Sequence, residues 1–226
     1  ALGLIPHPEG GFFVETWRSG SAPMSTQGQT GLQCADPDRN LVTVKKCRKN
    51  NRPDGDERRN ALTSIYWVPT LKSPRLLLAV NESDHVHYYQ GGHPFKYSLY
   101  DPNSGEFTQV TLGPELHKGQ KLQVCVRGGL WKCGEIDDEM ESNYEYALIG
   151  EAVAPGFDFH DFTWVTEDLI REKCKDPAHM KLFMSFVYSK AAKTVTEENK
   201  KTIDDLTEFY EENENQKRRI EERAGE

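Results

Sequence analysis

An all-β fold, arranged as a sandwich or a barrel, is predicted by three observations along the 226-residue chain. Short segments of alternating apolar and polar residues follow one another from Gly11 to about Val153, and they are rich in the aromatic and β-branched residues of strands. Turn residues separate them, and the run Asp-Pro-Asn-Ser-Gly at 101–105 is typical of a hairpin. Many short strands at such spacing indicate a sandwich or barrel. The segments are residues 12–17, 64–68, 75–80, 85–90, 95–100, 107–112, 122–126 and 146–153.

A long polar segment interrupts this pattern after the first strand. Residues 19–60 are rich in Gly, Gln, Asp, Arg and Lys and have almost no apolar periodicity. Loops of more than about 15 residues are uncommon inside compact domains, and they tend to be functional or disordered. The segment is therefore interpreted as an insertion that either binds a protein partner or forms a solvated excursion.

The C-terminal part of the chain is predicted to be mainly helical. Thr166 can cap a helix that runs to about residue 174, because two acidic residues follow it at the positive end of the helix. The apolar residues 180–188 predict a strand or a short buried helix. The charged tail 196–222 lacks Pro and Gly and predicts a helix, which lies either on its own barrel or in a coiled coil. The predicted domains are a barrel over 1–165 and a helical extension over 166–226.

The composition restricts the partners and the compartment. A net charge of -8 and a pI near 5.5 argue against a nucleic-acid groove, which needs concentrated Lys and Arg. No run of about 18 apolar residues is present, so we expect no transmembrane helix and a soluble chain. The odd number and wide scatter of the cysteines favour thiols in a reducing compartment, either the cytoplasm or an organelle interior after presequence removal. Cys34 and Cys47 could pair in an oxidising compartment.

A distinctive motif opens the chain. Residues 4–19 contain His-Pro-Glu-Gly-Gly, then two aromatic residues, and later Glu-Thr, an aromatic residue, Arg and Ser. With the later matches, this motif resembles the opening of a widespread, largely uncharacterised family of cupins. The resemblance covers residues 2–164 apart from the insertion. The later matches are residues 63–66, 87–91, 112–113, 123–131, 146–150 and 153–162.

The resemblance implies a double-stranded β-helix, a jelly roll whose open end holds a pocket. Such proteins usually assemble as dimers, so a homodimer or a subunit of a larger complex is expected. Relatives by fold include epimerases, dioxygenases and seed storage proteins, so the fold alone does not select a function.

The resemblance also implies that the ligands of a metal have been exchanged. A cupin metal site takes two His and one Glu from the first motif and one His from the second. When the motif is aligned on its spacing from carboxylate to glycine, Asp84 takes the position of Glu. The two upstream imidazoles fall on Leu78 and Val80, and Lys132 stands where the second motif has His. An ammonium group repels a cation, so neither a metal nor another cofactor is predicted.

The strand over 85–90 carries the candidates for acid and base chemistry. His85, His87 and Tyr89 project to one face, either as functional groups or as hydrogen-bonded residues of the core or surface. In a metal-independent sugar epimerase or isomerase, His87 would be the base and Asp84 would orient it. Tyr89 or Tyr66 would then be the acid. The candidates for contact with a ligand are His7, Glu9, Glu15, Tyr66, His85, Gln123, Trp131 and Lys132.

Three classes of function remain open at this stage. The first is a metal-free binder of a small polar or sugar-like molecule. The second is an interaction subunit that binds proteins through the 19–60 insertion and the C-terminal helix. The third is the epimerase or isomerase. We favour the first and second together.

Overall fold

Two antiparallel β-sheets enclose a barrel interior in the computed structural model, which describes residues 2–19, 41–43, 55, 57–137 and 144–188. Within these ranges, no helix is long and apolar enough to cross a membrane. The helices are α1 (Glu167–Lys173) and α2 (Pro177–Met184). The strands are β1 (Ile5–Pro6), β2 (Phe12–Arg18), β3 (Leu41–Thr43), β4 (Arg58–Asn60), β5 (Thr63–Val68), β6 (Arg75–Asn81), β7 (Asp84–Gly92), β8 (Phe95–Tyr100), β9 (Phe107–Leu112), β10 (Gln123–Val126), β11 (Trp131–Ile136), β12 (Ala147–Ala154) and β13 (Phe162–Trp164).

The chain alternates between the two sheets. The six-stranded sheet has the order β1-β2-β5-β12-β7-β10, and the five-stranded sheet has the order β13-β6-β11-β8-β9. Strand β7 lies in the first sheet, whereas its sequence neighbours β6 and β8 lie in the second. This arrangement is that of a jelly roll, so the predicted all-β fold with helices after the barrel is confirmed.

Every segment that the alternation predicts as a strand is a strand, and the bounds differ by at most two residues. The hairpin over 101–105 is also present between β8 and β9. There Oδ1 of Asp101 accepts a hydrogen bond of 2.9 Å from the backbone N–H of Asn103, and Gly105 takes the left-handed φ of 78°.

Apolar side chains from both sheets form a core inside the barrel. Trp67 of β5 packs edge-on against Phe95 of β8, with ring centroids 4.9 Å apart. Ile149 of β12 and Leu112 of β9 are fully buried in the same cluster. The period-two alternation therefore produces one continuous interior core.

The outer face of the five-stranded sheet is covered by the two helices. Phe183 of α2 packs against Trp131 of β11 and Tyr100 of β8, at ring distances of 5.9 and 5.4 Å. The predicted cap of α1 is confirmed, because Oγ1 of Thr166 accepts from the N–H of Leu169 at 3.3 Å. This second core joins the helices to the barrel.

Some elements differ from the expectation. Of the two alternatives for residues 180–188, the short helix is present and the strand is not, and the helix α2 begins earlier, at Pro177 with Asp176 as its cap, and ends at Met184. Strands β11 and β13 follow Gly-containing motifs and were not predicted. The segment 19–60 includes β3 and β4, which pair with each other. Arg59 of β4 is buried in an ion pair with Asp161, and the polar composition of the segment does not reveal this burial. The rest of that segment and the tail 196–222 lie outside the described residues.

Candidate functional site

Two histidines of β7 point into the barrel. His85 and His87 lie on the same face of the strand, and they are 2% and 0% exposed. Their ring centroids are 5.2 Å apart. In the six-stranded sheet, His87 lies between Val124 of β10 and Glu151 of β12. This cross-strand row faces the interior, where Val124 is part of the core.

An ion pair lies beside His87. Lys132 of β11 reaches in from the five-stranded sheet, and its Nζ is 3.7 Å from Oε1 of Glu151. The side chains of Lys132 and Glu151 are only 8% and 12% exposed. Oε2 of the same carboxylate is 3.7 Å from Nδ1 of His87. Glu151 thus lies between a cation of one sheet and an imidazole of the other.

Tyr97 of β8 is the second polar neighbour of His87. Its hydroxyl oxygen is 3.1 Å from Nδ1 of His87. Burial raises the pKa of Tyr97 well above its ordinary value, and the charges of Glu151 and Glu9 add to this effect. Burial, with the charge of Lys132, holds the pKa of His87 well below its ordinary value. At neutral pH the phenol and the imidazole are therefore both uncharged, and the tautomer of His87 sets which of the two donates.

The tautomer of His85 is determined by its backbone partner. Its Nδ1 lies 3.0 Å from the carbonyl oxygen of Ser83. A carbonyl oxygen only accepts, so Nδ1–H donates and Nε2 keeps a lone pair. Burial, followed by the charge of Lys132, lowers the pKa of His85 well below its ordinary value. His85 is thus a neutral acceptor inside the barrel.

The segment before β2 adds His7 and Glu9 to the cluster. The backbone N–H of Glu9 donates to Nδ1 of His7 at 3.1 Å. The carbonyl of Glu9 accepts from the N–H of Leu77 at 2.8 Å, and that of Gly10 accepts from Nε1 of Trp67 at 2.9 Å. These bonds hold both side chains where the charges of Lys132 and Glu151 act on them.

Burial shifts the pKa values of these two residues in opposite directions. It lowers the pKa of His7 to about 4, with smaller effects from Glu151, which raises it, and Lys132, which lowers it. It raises the pKa of Glu9 to about 7, with Lys132 opposing and Glu151 adding to the rise. Glu9 is therefore the group of this cluster that changes charge near neutral pH.

Replacing Glu9 with Gln should change how stability depends on pH. The folded protein keeps the Glu9 proton up to a pKa of about 7, against 4.5 without the fold, so this stabilisation is present at low pH and is lost as pH rises to 7. Relative to the wild type, Glu9→Gln should gain up to about 3 kcal/mol between pH 4.5 and 8. Urea unfolding across this range checks it. The lowered pKa of His7 changes stability with pH in the opposite direction, but it is present in both proteins and cancels in the comparison. A difference in unfolding free energy that does not vary with pH would contradict the raised pKa of Glu9.

Three polar atoms of the cluster have no hydrogen-bond partner among the described residues. They are Oε2 of Glu9, Nε2 of His85 and Nε2 of His87, and each is buried. An unpartnered buried polar atom costs about 1–3 kcal/mol. The cluster therefore has hydrogen-bonding capacity that the described residues do not satisfy.

The cluster also includes three of the residue types that bind metals. Donor atoms of His85, His87 and Glu151 lie within 4.8 Å of one another. Two imidazoles and a carboxylate fit a divalent transition ion in type and number. The charge does not fit, because the ammonium of Lys132, 3.7 Å from the same carboxylate, repels a cation and already pairs with the ligand. By charge, the cluster does not fit a resident divalent ion.

Two candidates on β7 point elsewhere. Asp84 is exposed at the start of the strand, and its Oδ1 accepts from the N–H of Gly128 at 2.8 Å. It therefore caps a turn and does not orient His87. Tyr89 shares the inward face with the histidines, but its hydroxyl donates to the carbonyl of Gly92 at 2.8 Å, toward the far end of the strand.

Three other candidates lie outside the barrel interior, and a fourth, Glu15, is held by an ion pair. Tyr66 pairs across the sheet with Gly150, Gly150 with Tyr88, and Tyr88 with Gln123. This cross-strand row lies one residue away from the row of His87 on each strand, so Tyr66 and Gln123 face outward. Trp131 packs under α2. Glu15 lies in the row of His87 but forms an ion pair of 2.7 Å with Arg18. Of the ligand candidates that the sequence predicts, His7, Glu9, His85 and Lys132 meet in the cluster.

The positions aligned with the upstream metal ligands of the family also face outward. Leu78 and Val80 pack with the second core under the helices. Their apolar side chains therefore support the helices and leave the chemistry of the interior unchanged. The replacement that does reach the interior is Lys132.

Sequence reasoning missed Glu151 and Tyr97. Glu151 lies between Ile149 and Val153 at the inward positions of β12, and both neighbours are buried. A charged residue in an otherwise apolar inward row is a signal of a buried site. Tyr97 gives no such signal, since it alternates with Phe95 and Leu99 as another core residue.

A jelly-roll barrel with an enclosed polar cluster is the class of protein that these observations define. A family model for the cupin superfamily (DUF985) matches residues 1–165. The uncharacterised protein YML079W of Saccharomyces cerevisiae is 30% identical over 164 residues, which are 72% of this chain and 70% of the yeast protein. The chain belongs to the cupin superfamily, and within it to DUF985.

Solved structures support the same fold. A hypothetical protein from Leishmania major matches with a TM-score of 0.61 and 26% identity, covering 83% of this chain and 95% of that one. Protein SO0799 from Shewanella oneidensis matches with a TM-score of 0.58 and 21% identity, over 83% and 92% of the two chains.

Proposed function

We propose that the interior of the barrel binds a small polar, sugar-like molecule without a resident metal. The supporting observation is the convergence of three unpartnered buried atoms, on Glu9, His85 and His87, beside the ion pair of Lys132 and Glu151. Buried polar atoms in folded proteins nearly always have partners. A polar ligand supplies those partners, whereas an apolar ligand would leave every one of them unpaired.

The absence of a metal rests on Lys132. Its ammonium lies 3.7 Å from Oε1 of Glu151, and the two charges attract each other. A ligand that carries both donors and acceptors can contact Lys132 and Glu151 together. A divalent ion on the same carboxylate would be repelled by the nearby ammonium.

Metal analysis and ligand binding together test this function. Native mass spectrometry of protein purified without chelators should find no stoichiometric divalent ion in the wild type, and Lys132→Gln should bind Co²⁺ more tightly than the wild type. A thermal-shift screen of small polyols, sugars and acids should find a stabilising compound. Glu151→Gln should weaken its binding by about tenfold, because a hydrogen bond to a charged group contributes about 1.5–3 kcal/mol.

The outward-facing Gln123 provides the matched control. Gln123→Ala should leave the affinity unchanged. A stoichiometric metal in the wild type would contradict the metal-free site. A broad library without a stabilising compound would contradict binding in the barrel.

A second candidate function, a metal-independent epimerase or isomerase, is favoured by one contact. The neutral imidazole of His87 lies 3.1 Å from the protonated hydroxyl of Tyr97, so Tyr97 takes the place proposed for Tyr89 or Tyr66. General acid and base catalysis requires both groups to reach the substrate, so a substrate would take the place of this contact between the two side chains. The compounds found in the screen should then exchange the proton beside their carbonyl in D₂O with the wild type and not with His87→Ala. Equal exchange by both proteins would contradict a role of His87.

An interaction role is also proposed for the 19–60 insertion and the C-terminal helix, together with a homodimer or larger assembly. These segments lie almost entirely outside the described residues. The proposal therefore keeps its support in the sequence, namely the length and polarity of segments that a minimal barrel does not need.

A further inference from the structure

The central contacts of the cluster are too wide for direct hydrogen bonds. Nζ of Lys132 and Nδ1 of His87 each lie 3.7 Å from an oxygen of Glu151, whereas N–H···O bonds span about 2.7–3.2 Å. The described part of the chain supplies no hydrogen bond to this ammonium or to this carboxylate. An oxygen atom that lies to one side of such a pair can bond to both groups. A hydroxyl group does so, because it accepts from Lys132 while it donates to Glu151.

The other unpartnered atoms mostly require donors from a ligand. Nε2 of His85 is an acceptor, since its Nδ1–H is used by the carbonyl of Ser83. Oε2 of Glu9 is an acceptor when the carboxylate is ionised. Nε2 of His87 donates or accepts according to the tautomer of its ring. A molecule that satisfies this set carries several hydroxyl groups and at least one further oxygen that accepts.

The charge of the cluster disfavours an acidic ligand. The positive charge of Lys132 is matched by Glu151 at 3.7 Å, and Glu9 supplies a second carboxyl group close enough to respond to both charges. His7, His85 and His87 are neutral near pH 7, because their pKa values are lowered by burial. A carboxylate or phosphate on the ligand would therefore be the third acidic group beside a single ammonium.

We infer that the pocket selects an uncharged polyhydroxy compound, a free sugar or polyol, and discriminates against the corresponding sugar acid and sugar phosphate. This inference rests on the proposed binding function and specifies its ligand class. The hydroxyl groups contact Glu9, Glu151 and His85, and an oxygen of the same compound accepts from Lys132. Sugar nucleotides are excluded by the same charge argument, because they carry a diphosphate.

Matched sets of compounds test the ligand class. Titration calorimetry at pH 7.5 would compare aldoses and their alditols with the aldonic acid and the 6-phosphate of the same carbon skeleton. The neutral members should bind at least about tenfold more tightly than the acid, which corresponds to one uncompensated like charge at short range. Glu9→Gln, which removes a negative charge and keeps the shape, should reduce this discrimination. Gln123→Ala, on the outer face, should keep it.

The outcomes separate the inference from the function on which it rests. Preference for the neutral compounds, reduced in Glu9→Gln, supports the inference. Binding of the acid or the phosphate at least as tightly as the neutral compound overturns it and leaves the proposed binding function standing. If no member of any set binds to the folded wild type, the proposed function itself fails. Circular dichroism of each variant establishes that it is folded.

Discussion

Replacing Arg59 with Met is expected to lower the free energy of unfolding by about 3–5 kcal/mol, the usual effect of removing one partner of a buried ion pair. Arg59 is 3% exposed and Asp161 is 1% exposed. The guanidinium donates twice to the carboxylate of Asp161, from Nε at 2.7 Å and from Nη2 at 3.0 Å. Without Arg59 this buried carboxylate loses both of these charge-assisted hydrogen bonds. Urea unfolding at pH 7, followed by tryptophan fluorescence, measures the loss.

The exposed pair of Arg171 and Glu167 gives the matched control. Its atoms are 3.2 Å apart, but the side chains are 62% and 60% exposed, so Arg171→Ala should cost less than about 0.5 kcal/mol. Adding Asp161→Leu to Arg59→Met should recover much of the loss, because the fully buried carboxylate is then removed together with its cation. A cost of Arg59→Met no larger than that of Arg171→Ala would show that the buried pair is not a structural link.

Replacing Trp131 with Ala is expected to destabilise the protein by about 3–5 kcal/mol while leaving the affinity of the folded protein for its ligand unchanged. The indole is 2% exposed and packs against Tyr100 and Phe183, at ring distances of 5.2 and 5.9 Å. Its removal leaves a cavity between β11 and α2. The adjacent Lys132 points to the opposite face of the strand, so the interior cluster keeps its geometry. Thermal unfolding and ligand titration measure the two effects separately.

Trp17 serves as the control for the size of the side chain. It is 37% exposed on β2, so Trp17→Ala should cost about 1 kcal/mol, because less area is removed from contact. If Trp131→Ala remained as stable as the wild type but lost ligand binding, Trp131 would contact the ligand, as the sequence analysis predicts.

Local patterns predict the strands well because each strand has one face in an apolar core. In the run 95–100, alternate residues are buried in the interior, and the observed strand has the same bounds. The hairpin at 101–105 and the cap at Thr166 depend on neighbouring residues only, so the sequence predicts both. Strands β11 and β13 were missed because glycines and short length hide their alternation.

The assignment of inner and outer faces was harder. The alternation predicts that His85 and His87 share a face, which the structure confirms by placing their rings 5.2 Å apart. It does not predict which neighbouring strand supplies partners to His87. Glu151 is 64 residues away along the chain, and it becomes a neighbour only because β12 pairs with β7 in one register.

By itself the sequence determined the all-β class, the strands, the family resemblance and the shared face of His85 and His87, because these depend on local alternation and on contiguous motifs. The tertiary structure alone decided that Tyr66, Gln123 and Trp131 lie outside the interior. It also decided that Lys132, Glu151 and Tyr97 meet around His87. The physical reason is that a register shift of one residue reverses the face of every side chain on a strand. Pairing between strands far apart in sequence sets that register, and the composition of any single strand does not record it.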